Sequence, residues 1–256
     1  MRLPRGQPLV TVALLLVAVG AFWLFSTMFP DQVSGAYVGA RRWLAAAGPI
    51  KKLPFPNPAA REEAPCRGTP QTLKPIAPDQ YFPPGVLACD DQQEAFLTNW
   101  YSKALRALGE PTLWALSRDD SRAMVYRFLW LRSFHHPVSV RLVLKPDLTG
   151  VVISKSTGGA GGYDPGALIR NESASVGRRG TTLLLARLGQ AHFWELPPRN
   201  GPGGVDGAQW VLEGVENGRY HVVDRWSPGE TDAVYTLGMT FLLDLADMRI
   251  DPKEVY

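Results

Sequence analysis

The sequence is short of the residues that most protein chemistry needs. Its 256 residues hold two cysteines and four histidines. The histidines (His135, His136, His192 and His221) form no HxH or HExxH pair, and no CxxC occurs, so the usual ligand spacings of a zinc site are missing. His135 and His136 are neighbours, and in an extended chain they point to opposite sides. Neither a metal nor a cofactor is expected. Ser–His–Asp catalysis lacks its GxSxG elbow, and neither cysteine stands in a nucleophile context. The stretch 157–166, TGGAGGYDPG, is rich in glycine but does not open a helix in GxGxxG spacing, and no Gly-Lys-Ser/Thr follows. It reads as a flexible, exposed loop and not as a phosphate cradle. Basic residues come only as pairs, Arg41-Arg42, Lys51-Lys52 and Arg178-Arg179, and the net charge is +3. Phosphate binding draws on many clustered cations, so nucleic acid is not an expected partner.

One further absence is informative in the other direction. Residues 9–29 carry no charge, and 21 residues of helix reach across a bilayer core. With Arg2 and Arg5 ahead of it, the run is read as an uncleaved transmembrane anchor behind a short cytoplasmic head at 1–8. A cleaved signal peptide is the rival, since Ser34, Gly35 and Ala36 resemble a cleavage site. Its apolar region, however, normally spans only about 7–15 residues. Arg2 and Arg5 favour a cytoplasmic N-terminus, while Arg41 and Arg42 pull the other way. The expected geometry is N-in, with the globular part on the extracytoplasmic (periplasmic) side.

Prolines recur every few residues through 49–84, which removes amide donors and favours extended polyproline II structure. Residues 30–84 therefore read as a juxtamembrane segment and Pro-rich tether, and 85–256 as one globular domain. Cys66 lies in the tether and Cys89 at the domain's edge. They either close one disulfide or stand as two thiols, since spacing alone does not set their separation.

Within the domain, Asp91 and Glu94 resemble a capping box. Leu97, Trp100, Ala104, Leu105 and Leu108 then recur at helical spacing until Gly109-Glu110-Pro111. Trp100 and Tyr101 are expected in the core. Residues 124–134 are apolar on both faces, as in a central strand. Residues 138–144 alternate, and 151–156 return after a turn, giving an antiparallel meander. A further strand is expected at 167–173, and helices at 181–190 and from Val234 to Leu245. Strands and helices are grouped without βαβ alternation. The expected fold is α+β: an antiparallel sheet, made of the meander plus a C-terminal hairpin, packed with about three helices and preceded by one transmembrane helix.

The hairpin is the richest stretch, GAQWVLEGVENGRYHVVDRWSP over 207–228. Asn217-Gly218 suits a two-residue type I′ turn, which needs positive φ at both positions. Counting outward pairs Glu216 with Arg219, Gly214 with His221, Glu213 with Val222 and Trp210 with Arg225. Glu213, Tyr220 and Asp224 then share one face, and Trp210, Arg219, His221 and Arg225 the other. Glu213 and Asp224 are diagonal neighbours roughly 7–8 Å apart. The candidate catalytic residues are Glu213, Asp224 and His221, since two carboxylates can divide acid and base roles. The candidate binding residues are Trp210, Tyr220 and Arg225. The competing structural account has Arg225 over the Trp210 ring, Glu216 paired with Arg219, and Asp224 bonded to a loop or to an arginine such as Arg141.

The stretches FLTNWYSKALRALGEPTLW, YRFLWLRSFHHPVSVRLVL, AHFWELP and DGAQWVLEGVENGRYHVVDRWSP, in that order, resemble a group of uncharacterised bacterial proteins. The resemblance covers roughly 92–246 and implies no particular reaction. Two functional classes follow from the residues themselves. One is a membrane-anchored, non-enzymatic envelope domain with a protein partner. The other is a hydrolase-like enzyme built on the carboxylates and histidine of the 208–226 hairpin.

Overall fold

A computed structural model describes residues 80–201 and 203–256. The expected anchor at 9–29, the tether up to residue 79 and the pairing of Cys66 with Cys89 lie outside the described residues. Among the described residues no helix is long and apolar enough to cross a membrane.

The described chain is α+β. In order it forms α1 (Asp91–Ala107), α2 (Leu113–Asp119), β1 (Met124–Arg132), β2 (Val138–Leu144), β3 (Gly150–Thr157), β4 (Leu168–Val176), α3 (Arg178–Gln190), β5 (Ala208–Glu216), β6 (Arg219–Trp226) and α4 (Ala233–Met239). Helix α4 widens into a π-helical turn over Thr240–Leu245. The six strands lie in the order β4-β3-β2-β1-β5-β6, each antiparallel to its neighbours. The meander and the hairpin thus meet at β1 and β5, which form the middle of the sheet. Burial on both faces of β1 explains its apolar run. Strand β4 reaches Val176, three residues beyond the expected end.

Helices cover the sheet on both sides. On the first face, Phe128, Trp130, Leu142, Trp210 and Val223 pack against Leu184 and Leu188 of α3 and Val234, Leu237 and Phe241 of the C-terminal helix. Trp210 lies within 5.3 Å of the Phe128 ring and stacks on Tyr235 at 5.3 Å. The helix approaches so closely that a Cβ on Gly238 would stand 2.5 Å from the Trp210 ring. On the second face, Leu97, Tyr101, Leu105 and Leu108 of α1 meet Leu129, Leu131, Val211 and Val222. Leu113 of α2 packs with Val125 and Val215.

Local signals account for most boundaries. The N-cap of α1 is Asp90, which accepts from Gln93 N, and not the Asp91 of the expected box. Glu94 instead reaches back to the amides of Gly85, Leu87 and Ala88 at 2.6–2.9 Å, tying the entering segment to the helix. That segment is part of the core: Tyr81 and Phe82, read from sequence as the end of the tether, are buried under α1. Helix α2 is an addition to the expected three. At seven residues it is too short for a periodic signal, and Thr112 caps it directly behind the proline that ends the previous helix.

The 157–166 stretch is more than an exposed connection. Gly161 N donates to His135 O at 2.9 Å, Gly162 N to Ser133 O at 3.2 Å, and Trp100 Nε1 to Gly161 O at 2.6 Å. The loop is therefore stitched to the end of β1 and to α1. Trp100 lies half-buried at that seam, whereas Tyr101 is fully buried.

Candidate functional site

The hairpin turn forms as its residues dictate. Asn217 and Gly218 have φ of 53° and 74°, the left-handed values of a type I′ turn. The register follows: Glu216 opposite Arg219, Gly214 opposite His221, Glu213 opposite Val222 and Trp210 opposite Arg225. Strand alternation then separates the candidate catalytic residues. Glu213 and Asp224 lie under α1, while His221 packs on the other face between Phe193 and Trp194, with ring centroids 5.1 and 6.0 Å away. The sheet itself stands between the histidine and the carboxylates.

Glu213 is enclosed and fully partnered. Its Oε2 accepts from Arg127 Nε at 2.8 Å and Nη2 at 2.6 Å, and its Oε1 accepts from Tyr220 at 2.9 Å. Arg127 stands directly opposite Glu213 in the β1–β5 pairing, and both side chains are 0% exposed. Arg127 also donates to Pro111 O at 2.7 Å and lies 3.4 Å from Glu110. Glu110 takes two further cations, Arg141 at 2.8 Å and Lys155 at 3.0 Å. Two carboxylates and three cations from β1, β2, β3, β5 and the α1–α2 turn thus form one ion network inside the protein.

The two carboxylates respond differently to this setting. Burial pushes the Glu213 carboxyl above its ordinary value, against the pull of Arg127 and Tyr220. Burial acts on Glu110 as well, but Arg127, Arg141 and Lys155 outweigh it and hold that carboxyl below the ordinary range. Arg127 stays charged: its desolvation is outweighed by Glu213 and Glu110.

Asp224 sits at the end of the same face. Tyr101 donates to its Oδ2 at 2.9 Å, and Arg199, from the loop before β5, lies 3.3 Å away. Its Oδ1 is buried without a hydrogen-bond partner among the described residues. Burial raises its pKa from 3.8 to about 6, only partly opposed by Arg199 and the Tyr101 hydrogen bond. A carboxyl raised in this way suits acid–base work when a substrate can reach it. Here it is 2% exposed, beneath α1 and the loop.

The expected partners of the remaining residues change. Arg225 does not lie on Trp210; it donates to the carbonyls of Pro197 at 3.0 Å and Pro198 at 3.3 Å, pinning the loop that flanks β6. Trp210 is in the aromatic core and donates from Nε1 to Tyr256 O at 2.9 Å. Glu216 accepts from Tyr126 at 3.0 Å, and Arg219 lies over Trp194 at 4.6 Å, so the two are opposite but otherwise engaged. Arg141 serves Glu110 and not Asp224. Tyr220 is a ligand of Glu213, not an open platform.

Sequence reasoning overlooked Glu110, Arg127, Lys155 and Arg199. One signal was available. An arginine in the middle of a strand that is apolar on both faces must be buried, and a buried guanidinium calls for a carboxylate. A cleft of about 420 Å³ lies elsewhere, by the C-terminal helix, lined by residues including Glu230, Tyr235, Met239 and Ile250. It includes none of the hairpin candidates. Among the described residues no group of three His, Cys, Asp or Glu side chains is placed to hold a metal ion. In comparisons with known proteins, neither a family model nor a curated protein matches the chain.

Proposed function

We propose that the chain is a membrane-anchored domain that binds a protein partner in the cell envelope and performs no reaction of its own. The observation that carries this reading is the closure of the hairpin face. Glu213 and Asp224 are 1% and 2% exposed, Glu213 has all its oxygens engaged, and His221 is on the opposite side of the sheet. Among the described residues the most exposed aromatics lie elsewhere: Phe96 on α1, Phe134 after β1 and Tyr163 in the glycine loop are each more than half exposed, against 37% for Trp226 at the end of β6. Phe134 and Tyr163 lie 6.3 Å apart, and Phe96 lies 5.7 Å from Trp100, which is hydrogen-bonded to the same loop. Exposed aromatics grouped in this way are typical anchors of a protein interface. The uncharged run at 9–29 supplies the attachment, and its N-in orientation would put the domain in the periplasm.

A photo-crosslinking residue at Tyr163 in living cells tests the reading. One discrete adduct is expected there and none at Arg118, which is exposed and remote in sequence. Phe134→Ala/Tyr163→Ala should abolish the adduct and the cellular function while leaving stability unchanged. A Glu213→Gln or Asp224→Asn chain of undiminished stability but lost function would sink the proposal and favour the hydrolase. Protease added to spheroplasts checks the orientation, since a protected domain would be cytoplasmic.

A further inference from the structure

The two edges of the sheet are treated differently. Along β6, the segment before β5 covers the edge at Asp224: Asp224 N donates to Pro198 O at 2.7 Å, and Arg199 bridges to Asp224. Along β4, among the described residues, the only strand neighbour is β3. Seven of the nine β4 residues are exposed, Ile169 at 62%. A long strand with an open edge is a template for another strand.

The residues on β4 select which strand fits. Arg170 and Glu172 stand on the same face, 2.6 Å apart as an ion pair. Consider a second copy added antiparallel about a two-fold axis perpendicular to the sheet. Both copies then keep their faces in common, so each possible register centres on one residue that faces itself. Centring on Arg170 or on Glu172 sets like charges against each other. Centring on Ser173 leaves both charges without a charged opposite. Centring on Asn171 places Arg170 of each copy opposite Glu172 of the other, twice over, with Ile169 opposite Ser173. Opposite charges stabilise a cross-strand pair and like charges destabilise it. A guard of one sign at 170 and 172 would set like charges opposite each other in the registers centred on 170, 171 and 172; this mixed pair makes the one centred on Asn171 attractive.

We infer that the protein self-associates through β4, with two copies paired antiparallel at Asn171 to make one sheet continuous across the two-fold axis. This goes beyond the partner surface proposed above, which uses α1 and the 157–166 loop, and the two can fail separately.

Cysteine cross-linking of the full-length chain in its own membrane tests the register. In an antiparallel pair, directly opposite Cα atoms are roughly 4.5–5.5 Å apart, within disulfide reach. Asn171→Cys should therefore yield a cross-linked dimer on mild oxidation. Ser175→Cys, placed roughly 25 Å from its counterpart in this register, should behave like the chain with no added cysteine. Absence of the Asn171→Cys dimer, or equal cross-linking at Ser175→Cys, would overturn the inference.

Charge exchange provides the second arm, read as molar mass in detergent solution. Glu172→Arg alone and Arg170→Glu alone should each weaken association on the order of tenfold. The double exchange, R170E/E172R, restores both opposite-charge pairs and should restore the dimer. Single variants with unchanged association, a double variant no tighter than the singles, or a wild type that stays monomeric would each reject it.

Discussion

Two faces of the same strand pair, β1 and β5, are buried equally and held by different means. On one, Phe128, Trp130 and Trp210 pack edge and face against the C-terminal helix. On the other, Arg127 and Glu213 stand between apolar residues and join Glu110, Arg141 and Lys155 in a closed ion network. The aromatic face gains by removing apolar area from water, and it tolerates no hole. The ionic face gains little from its charges taken together, because desolvation offsets attraction, but it cannot lose one partner alone. The buried polar residues of the hairpin are thus a core of a second kind.

The largest effect that separates the two faces is expected at Arg127. Arg127→Met leaves Glu213 buried without its cation and should cost about 3–5 kcal/mol. Arg127→Met/Glu213→Leu removes both charges and should recover most of that loss in a urea unfolding series. A double variant as unstable as the single would show that the network is held by packing alone. Trp210→Ala should cost a similar ~3–5 kcal/mol through the cavity it leaves, and Trp210→Phe distinctly less.

Asp224 gives the comparison a pH axis. Its folded pKa, about 6, lies above the ordinary 3.8. Its contribution to stability is therefore full below about 3.8 and lost as pH rises through about 6. Asp224→Asn, permanently neutral, should gain on the wild type between pH 4 and pH 7 by on the order of 3 kcal/mol at most. A difference that stays flat across that range would mean the carboxyl titrates as if exposed.

The smallest effect is expected at the turn that serves both faces. Gly218→Val forces a β-branched residue to a φ of 74°, where a Cβ would otherwise meet nothing closer than Ser117 O at 3.6 Å. The loss should be backbone strain alone, about 1–3 kcal/mol, read as a lowered Tm.

What sequence alone reveals tracks how local each cause is. The Asn217-Gly218 turn fixes its own dihedral angles, and the turn then sets every pair along β5 and β6. Strict alternation puts Glu213 and Asp224 on one side and His221 on the other, which already separates them. The double-sided apolar run of β1 marks a central strand. Helix α2 is too short to show a period, and its proline reads as an end when it precedes a beginning.

The remaining decisions belong to tertiary structure. That the hairpin docks beside β1 depends on strands more than seventy residues apart in sequence, and only this docking puts Arg127 against Glu213. The same holds for Tyr101 and Arg199 at Asp224, and for the loop carbonyls that take Arg225 away from Trp210. A side chain's face is a property of its neighbours along the chain. Its burial and its partner are properties of whatever the fold lays over that face, and a carboxylate's pKa follows from those.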